Sequence, residues 1–125
     1  MRRLIPALVL VLFAGCARTT LKVEKTIDVD TGGLTFNVDP AKAEQTISVS
    51  AKAEGGPIDV YMFLTKNRAT IEREMTEQKV VSAIQKAEKS EDVSLQAKVP
   101  AGEETSVWVR ASGEKKAHVV LKIQN

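Results

Sequence analysis

A chain that does chemistry on a substrate needs a nucleophile with a base beside it, a paired set of carboxylates, or a cluster of metal ligands. The sequence has one histidine, His118, and one cysteine, Cys16. A zinc site with two or more His or Cys ligands therefore needs both of them in one place. His118 falls mid-strand in "AHVVLKIQ", on the face opposite Val119 and Leu121, which reads as a surface position. The stretch "DVDTGGLTFNVD" at 28–39 spaces Asp28, Asp30, Gly33 and Asp39 as positions 1, 3, 6 and 12 of a calcium loop. Position 5 is Gly32, which offers no side-chain oxygen, and both flanks alternate as strands. A plain turn is the better reading, and no metal or cofactor is expected. The sixteen acidic residues must include some close pair, so carboxylates carry no specific signal. The expectation is a non-enzyme, and a hydrolase built on an unrecognised carboxylate pair is the weakest alternative.

Cys16 has a more specific setting. "MRR" is followed by "LIPALVLVLFAG", twelve uncharged residues that end at the cysteine. Twelve is too short to span a bilayer as a helix, which takes about 20 apolar residues. A basic start, a short apolar run and small residues before a cleavage point describe an export signal. "LFAGC" resembles a bacterial lipobox, with Phe13 in place of the usual Leu, Val or Ile. The resemblance implies cleavage after Gly15 and lipidation of Cys16, giving a signal peptide at 1–15 and a short tether at 16–20. A mature lipoprotein of this kind carries three acyl chains. At about 0.8 kcal/mol per buried methylene, two or more chains anchor stably where one does not. Ala17, where an aspartate would retain the protein at the inner membrane of enteric bacteria, implies the outer membrane. Arg2 and Arg3 account for the whole formal net charge of +2. The mature chain is neutral, and it has no basic face of the kind that binds nucleic acid.

Few residues remain for recognition. The aromatics beyond the signal are Phe36, Tyr61, Phe63 and Trp108. Phe36 shares the face of Leu34 and Val38. Tyr61 and Phe63 lie opposite Ile58, Val60, Met62 and Leu64 in "PIDVYMFLTKN", and Trp108 lies opposite Val107 and Val109. If these strands are neighbours, Tyr61, Phe63 and Trp108 form one outward patch with His118 at its edge, a surface suited to a partner or ligand. The alternative is cover by the one helical stretch, expected at 67–79. There Asn67 is placed to cap, and Ile71 and Met75 form a narrow stripe four residues apart.

The elements that position these residues are strands. Period-two alternation marks 21–29 and 34–38, read as a hairpin across "DTGG". It continues at 46–51, 57–64 and 93–99, then at 107–110 and 117–124. "VVSAIQK" resumes an extended pattern after the helix, and "AEKSED" reads as a charged loop. About eight short strands with Gly and Pro turns argue an antiparallel β-sandwich, jelly-roll-like, with one inserted helix, as a single domain over 21–125. About 110 residues bury enough surface to fold without a disulfide.

Residues 34–125 resemble bacterial pre-peptidase C-terminal domains. "VPAGEETSVWVRASGEKKAHVVLKIQN" matches their closing strand, Pro-Ala-Gly turn and final strands. "FNVDPAKAEQTISVSAKAEGGPIDVYMFL" matches their first half, and the helical insertion replaces a short Asp-Gly turn. The resemblance implies a secreted, non-catalytic sandwich used for binding or targeting. The combined expectation is a membrane-anchored envelope lipoprotein, an accessory module that binds an envelope protein or a saccharide. A spacer or accessory subunit without a ligand of its own is the alternative.

Overall fold

A computed structural model describes residues 21–125. The segment expected to be a signal at 1–15, the expected lipidation at Cys16 and the expected tether at 16–20 lie outside the described residues.

The chain runs through β1 (Lys22–Val29), β2 (Leu34–Val38), β3 (Gln45–Glu54) and β4 (Ile58–Leu64), then a 3-10 turn (Thr65–Asn67) and α1 (Arg68–Thr76). It continues through β5 (Gln85–Ser90), β6 (Asp92–Val99), β7 (Thr105–Ala111) and β8 (Ala117–Gln124). The strands form two four-stranded sheets, ordered β1-β8-β3-β6 and β2-β7-β4-β5. Every pairing is antiparallel. This is the strand order of a jelly roll, so the expected all-β antiparallel sandwich with one helix is what the sequence makes. Alternation supplies the core: Ile47, Val49, Val60, Met62, Val107, Val109, Leu121 and Ile123 are all buried between the sheets. Each such side chain contributes about 1.5–3 kcal/mol.

The expected hairpin over 21–38 does not form. β1 pairs with β8 and β2 with β7, so "DTGG" turns a corner from one sheet to the other. Alternation assigns faces, not partners, and a glycine turn serves either geometry. The corner is held by Asp30. Its Oδ1 accepts from the Gly32 and Gly33 amides at 2.9 and 3.2 Å, and its carbonyl accepts from Ala111 N at 2.8 Å. Gly33 has φ of +70°, and a Cβ there would lie 2.4 Å from the Val109 carbonyl. Only glycine fits.

The segment after the helix also differs from expectation. "VVSAIQK" is not one strand, and "AEKSED" is not a loop. β5 begins at Gln85 and takes most of the charged run. Its residues are largely exposed because β5 is a sheet edge, where charge is a protective feature rather than a loop signal. The helix is shorter than 67–79, and the Asn67 side chain makes no capping bond. Gln78, at φ of +58°, ends it. Lys79 N reaches back to the Glu74 carbonyl at 2.8 Å and Gln78 N to that of Met75 at 3.1 Å. That double bond pattern is a Schellman stop, here with Gln where glycine is usual.

Candidate functional site

β4 is buried on both faces, with its first six residues buried and only Leu64 partly exposed. Ile58, Val60 and Met62 join the main core. Tyr61 and Phe63 point the other way, into a second small core closed by Ile71 of α1 and by Val81. Met75, Ala83 and Trp108 flank it, half-buried. Residues 80–84 are held against the helix by Glu74, whose carboxylate accepts from Ser82 N at 3.0 Å and Ser82 Oγ at 2.6 Å. Those two hydrogen bonds keep the Glu74 carboxyl below its ordinary range.

The outward patch is therefore corrected on three counts. Tyr61 and Phe63 are 0% and 1% exposed, because the helix and the segment after it cover them. His118 is exposed but lies on β8, in the other sheet, so it is not at the edge of this face. It pairs across the β1–β8 register with Asp28, Nδ1 to Oδ1 at 2.7 Å. Trp108 alone of the four keeps both a neighbourhood with the cluster and a surface position. The acidic residues of the calcium-like stretch do not converge either. Asp28 is engaged by His118 and Asp30 by the turn, and among the described residues no group of three His, Cys, Asp or Glu side chains is arranged to hold a metal.

Below the helix lies a charged group that alternation does not predict. Asp59 is the second residue of β4 and is 5% exposed. A buried carboxylate needs partners, and Asp59 has three. Oδ1 accepts from Lys89 N at 2.9 Å and Ser112 Oγ at 2.6 Å, and Oδ2 meets Arg110 Nε at 3.0 Å. The β4–β5 register shifts between Ile58 and Val60, and Lys89 takes φ of +52°, which turns its amide toward the carboxylate. The Arg110 guanidinium then lies 5.6 Å from the Tyr61 ring centre and 3.8 Å, through Nη1, from Met75 Sδ. Tyr61 donates its hydroxyl to Glu88 Oε2 at 2.7 Å. Burial, reinforced by that bond, pushes the Tyr61 phenol well above the ordinary tyrosine range. Sequence reading missed Asp59 and Arg110 as a unit. The available signal was an acid set in the otherwise apolar run "IDVYMFL".

Arg110 also lines a groove of about 310 Å³. Thr31 and Gly32 of the corner form one wall, and Glu72, Met75 and Thr76 of α1 form the other. Trp108 and Arg110 of β7 lie between them. Trp108 donates through Nε1 to the Gly32 carbonyl at 3.1 Å, which fixes the indole. Arg68 stands 5.7 Å over that ring and bonds Glu72 Oε1 at 2.7 Å. Both guanidiniums near the groove are thus matched by a carboxylate, Arg110 by Asp59 and Arg68 by Glu72. The result is a fixed aromatic ring among hydroxyl, carboxylate and guanidinium groups with no net charge.

No protein-family model matches the chain, and no curated protein matches it. Among solved structures, it is similar to the Yersinia pseudotuberculosis-derived mitogen, with a TM-score of 0.51 and 5% identity over 84% of this chain and 86% of that one. The likeness is of fold alone. The C-terminal CBM6 of LamC from Zobellia galactanivorans shares the outline at a TM-score of 0.44 and 9% identity, over 86% of this chain and 100% of that one. The pre-peptidase C-terminal domain of collagenase from Bacillus anthracis does so at 0.40 and 14%, over 82% and 87%. At 5% identity the likeness to the mitogen bears on the fold and not on a ligand.

Proposed function

We propose that this chain is a lipid-anchored, non-catalytic binding module of the bacterial cell envelope that holds a neutral saccharide in the groove at Trp108. One observation carries the ligand assignment. The half-buried indole lines a groove whose charges are already paired within the protein, at 3.0 Å for Arg110–Asp59 and 2.7 Å for Arg68–Glu72. An ionic ligand would find no unmatched charge there. A sugar ring offers an apolar face to the indole and hydroxyls to Thr31, Glu72 and Thr76, without requiring one. The anchorage rests on "LFAGC" and Cys16, and the preference for the outer membrane rests on Ala17.

Two experiments separate these parts. A Cys16→Ala variant leaves the membrane fraction if the cysteine carries the anchor, and fractionation unchanged from wild type sinks that part. Calorimetric titration of the mature protein with soluble neutral oligosaccharides reads the groove, with Trp108→Ala as the control. A second reading, a spacer or accessory subunit with no ligand of its own, draws on the burial of Tyr61 and Phe63. Their burial removes two of the three aromatics that an exposed binding face would use. It expects no binding by either form.

A further inference from the structure

The Trp108 ring is fixed, and what lies over it is not. Its Nε1 is tied to the Gly32 carbonyl, and the ring flanks the second core with Phe63 and Ile71. The Arg68 guanidinium, 5.7 Å from the ring centre, belongs to an exposed side chain held only by Glu72, also exposed, one helical turn further on. An exposed cation–π contact and an exposed i,i+4 ion pair are both weak enough to open readily. The electron-rich face of an indole accepts a flat cation or the C–H face of a sugar for the same electrostatic reason.

We infer that Arg68 is a latch on the stacking face of Trp108: its guanidinium covers the ring while the groove is empty, and a sugar ring takes that position on binding. This rests on the saccharide reading above. Glu72 has two parts in it. It holds Arg68 in place by one oxygen, and it lines the groove. When Arg68 swings off, both Glu72 oxygens become acceptors for ligand hydroxyls at the rim beside the ring. Arg68 thereby selects for ligands whose apolar face displaces a guanidinium, and it discriminates against those that only hydrogen-bond.

The chain has a single tryptophan, so its emission reports this ring directly. The test measures acrylamide quenching of Trp108 in wild type, Arg68→Ala, Arg68→Lys and Glu72→Gln. It then measures affinity for a panel of soluble neutral β-linked oligosaccharides in each. Arg68→Ala should raise the quenching constant by about twofold or more, with Arg68→Lys and Glu72→Gln between it and wild type. Any oligosaccharide that binds wild type should bind Arg68→Ala about two- to fivefold more tightly. Unchanged quenching in Arg68→Ala overturns the latch, as does raised quenching with equal or weaker affinity. If Arg68→Ala loses its fold, the Arg68→Lys comparison decides. Should no oligosaccharide bind any form, the saccharide reading fails and the latch with it, whereas binding with unchanged quenching in Arg68→Ala overturns the latch alone.

Discussion

Trp108 and Gly32 are joined by a 3.1 Å hydrogen bond from the indole Nε1 to the glycine carbonyl. That bond ties the corner between β1 and β2 to the strand that carries the groove. The shape of the corner therefore sets the orientation of the ring, and the groove depends on a turn 76 residues away in sequence.

Replacing Gly33 tests this dependence. Gly33→Ala must hold φ of +70° with a Cβ 2.4 Å from the Val109 carbonyl and 2.7 Å from Trp108 Nε1. The expected loss is about 2–4 kcal/mol, from left-handed strain plus overpacking. Chemical denaturation measures it, and a shift in Trp108 emission should accompany it.

Asp59 is the second test. Removing one partner of a buried ion pair leaves the other uncompensated. Arg110 keeps 29% side-chain exposure, so the Asp59→Ala cost should fall at about 2–3 kcal/mol, below the fully buried range. A double-mutant cycle with Arg110→Ala should recover part of that loss. Additive losses would show that the two side chains do not couple.

The cover over Tyr61 and Phe63 hangs on Ile71, the buried residue of α1. Ile71→Ala should cost about 2–5 kcal/mol and loosen the helix before the sheets. Hydrogen exchange would then show faster exchange in α1 and residues 77–84, with β3 and β8 still protected.

Two groups give opposite pH dependences. The folded state holds the Tyr61 proton above the ordinary value of 10.0, so its contribution to stability is fully present below pH 10 and declines as pH rises beyond it. The chain has one tyrosine, so phenolate absorbance should appear together with loss of structure, not before it. Glu74 is held below its ordinary 4.5, so its contribution is present above that pH and declines as pH falls through the folded value. Glu74→Gln should flatten the acid limb of the stability curve.

The sandwich was readable because period-two alternation names the inner residues directly, as with Ile47, Val49 and Ala51 or Val119, Leu121 and Ile123. The doubly apolar "VYMFL" likewise announced a second apolar face, but not whether it is covered or open to a partner. What could not be read were partners. His118 alternates as a surface residue, and it is one, but alternation does not say which sheet β8 joins. β5 was hidden because an edge strand with charged side chains looks like a loop. The Asp59 cluster draws on residues 30, 51 and 53 positions away, a convergence that only the tertiary fold creates.

The function proposed for the groove at Trp108 is to bind a neutral saccharide. Isothermal titration of the mature protein against a panel of neutral oligosaccharides tests it most directly, with Trp108→Ala run beside wild type. At least one oligosaccharide should bind, and Trp108→Ala should weaken it by about tenfold, the loss of one stacking contact. Wild type that binds none of the panel, or a Trp108→Ala variant that binds equally well, would contradict it.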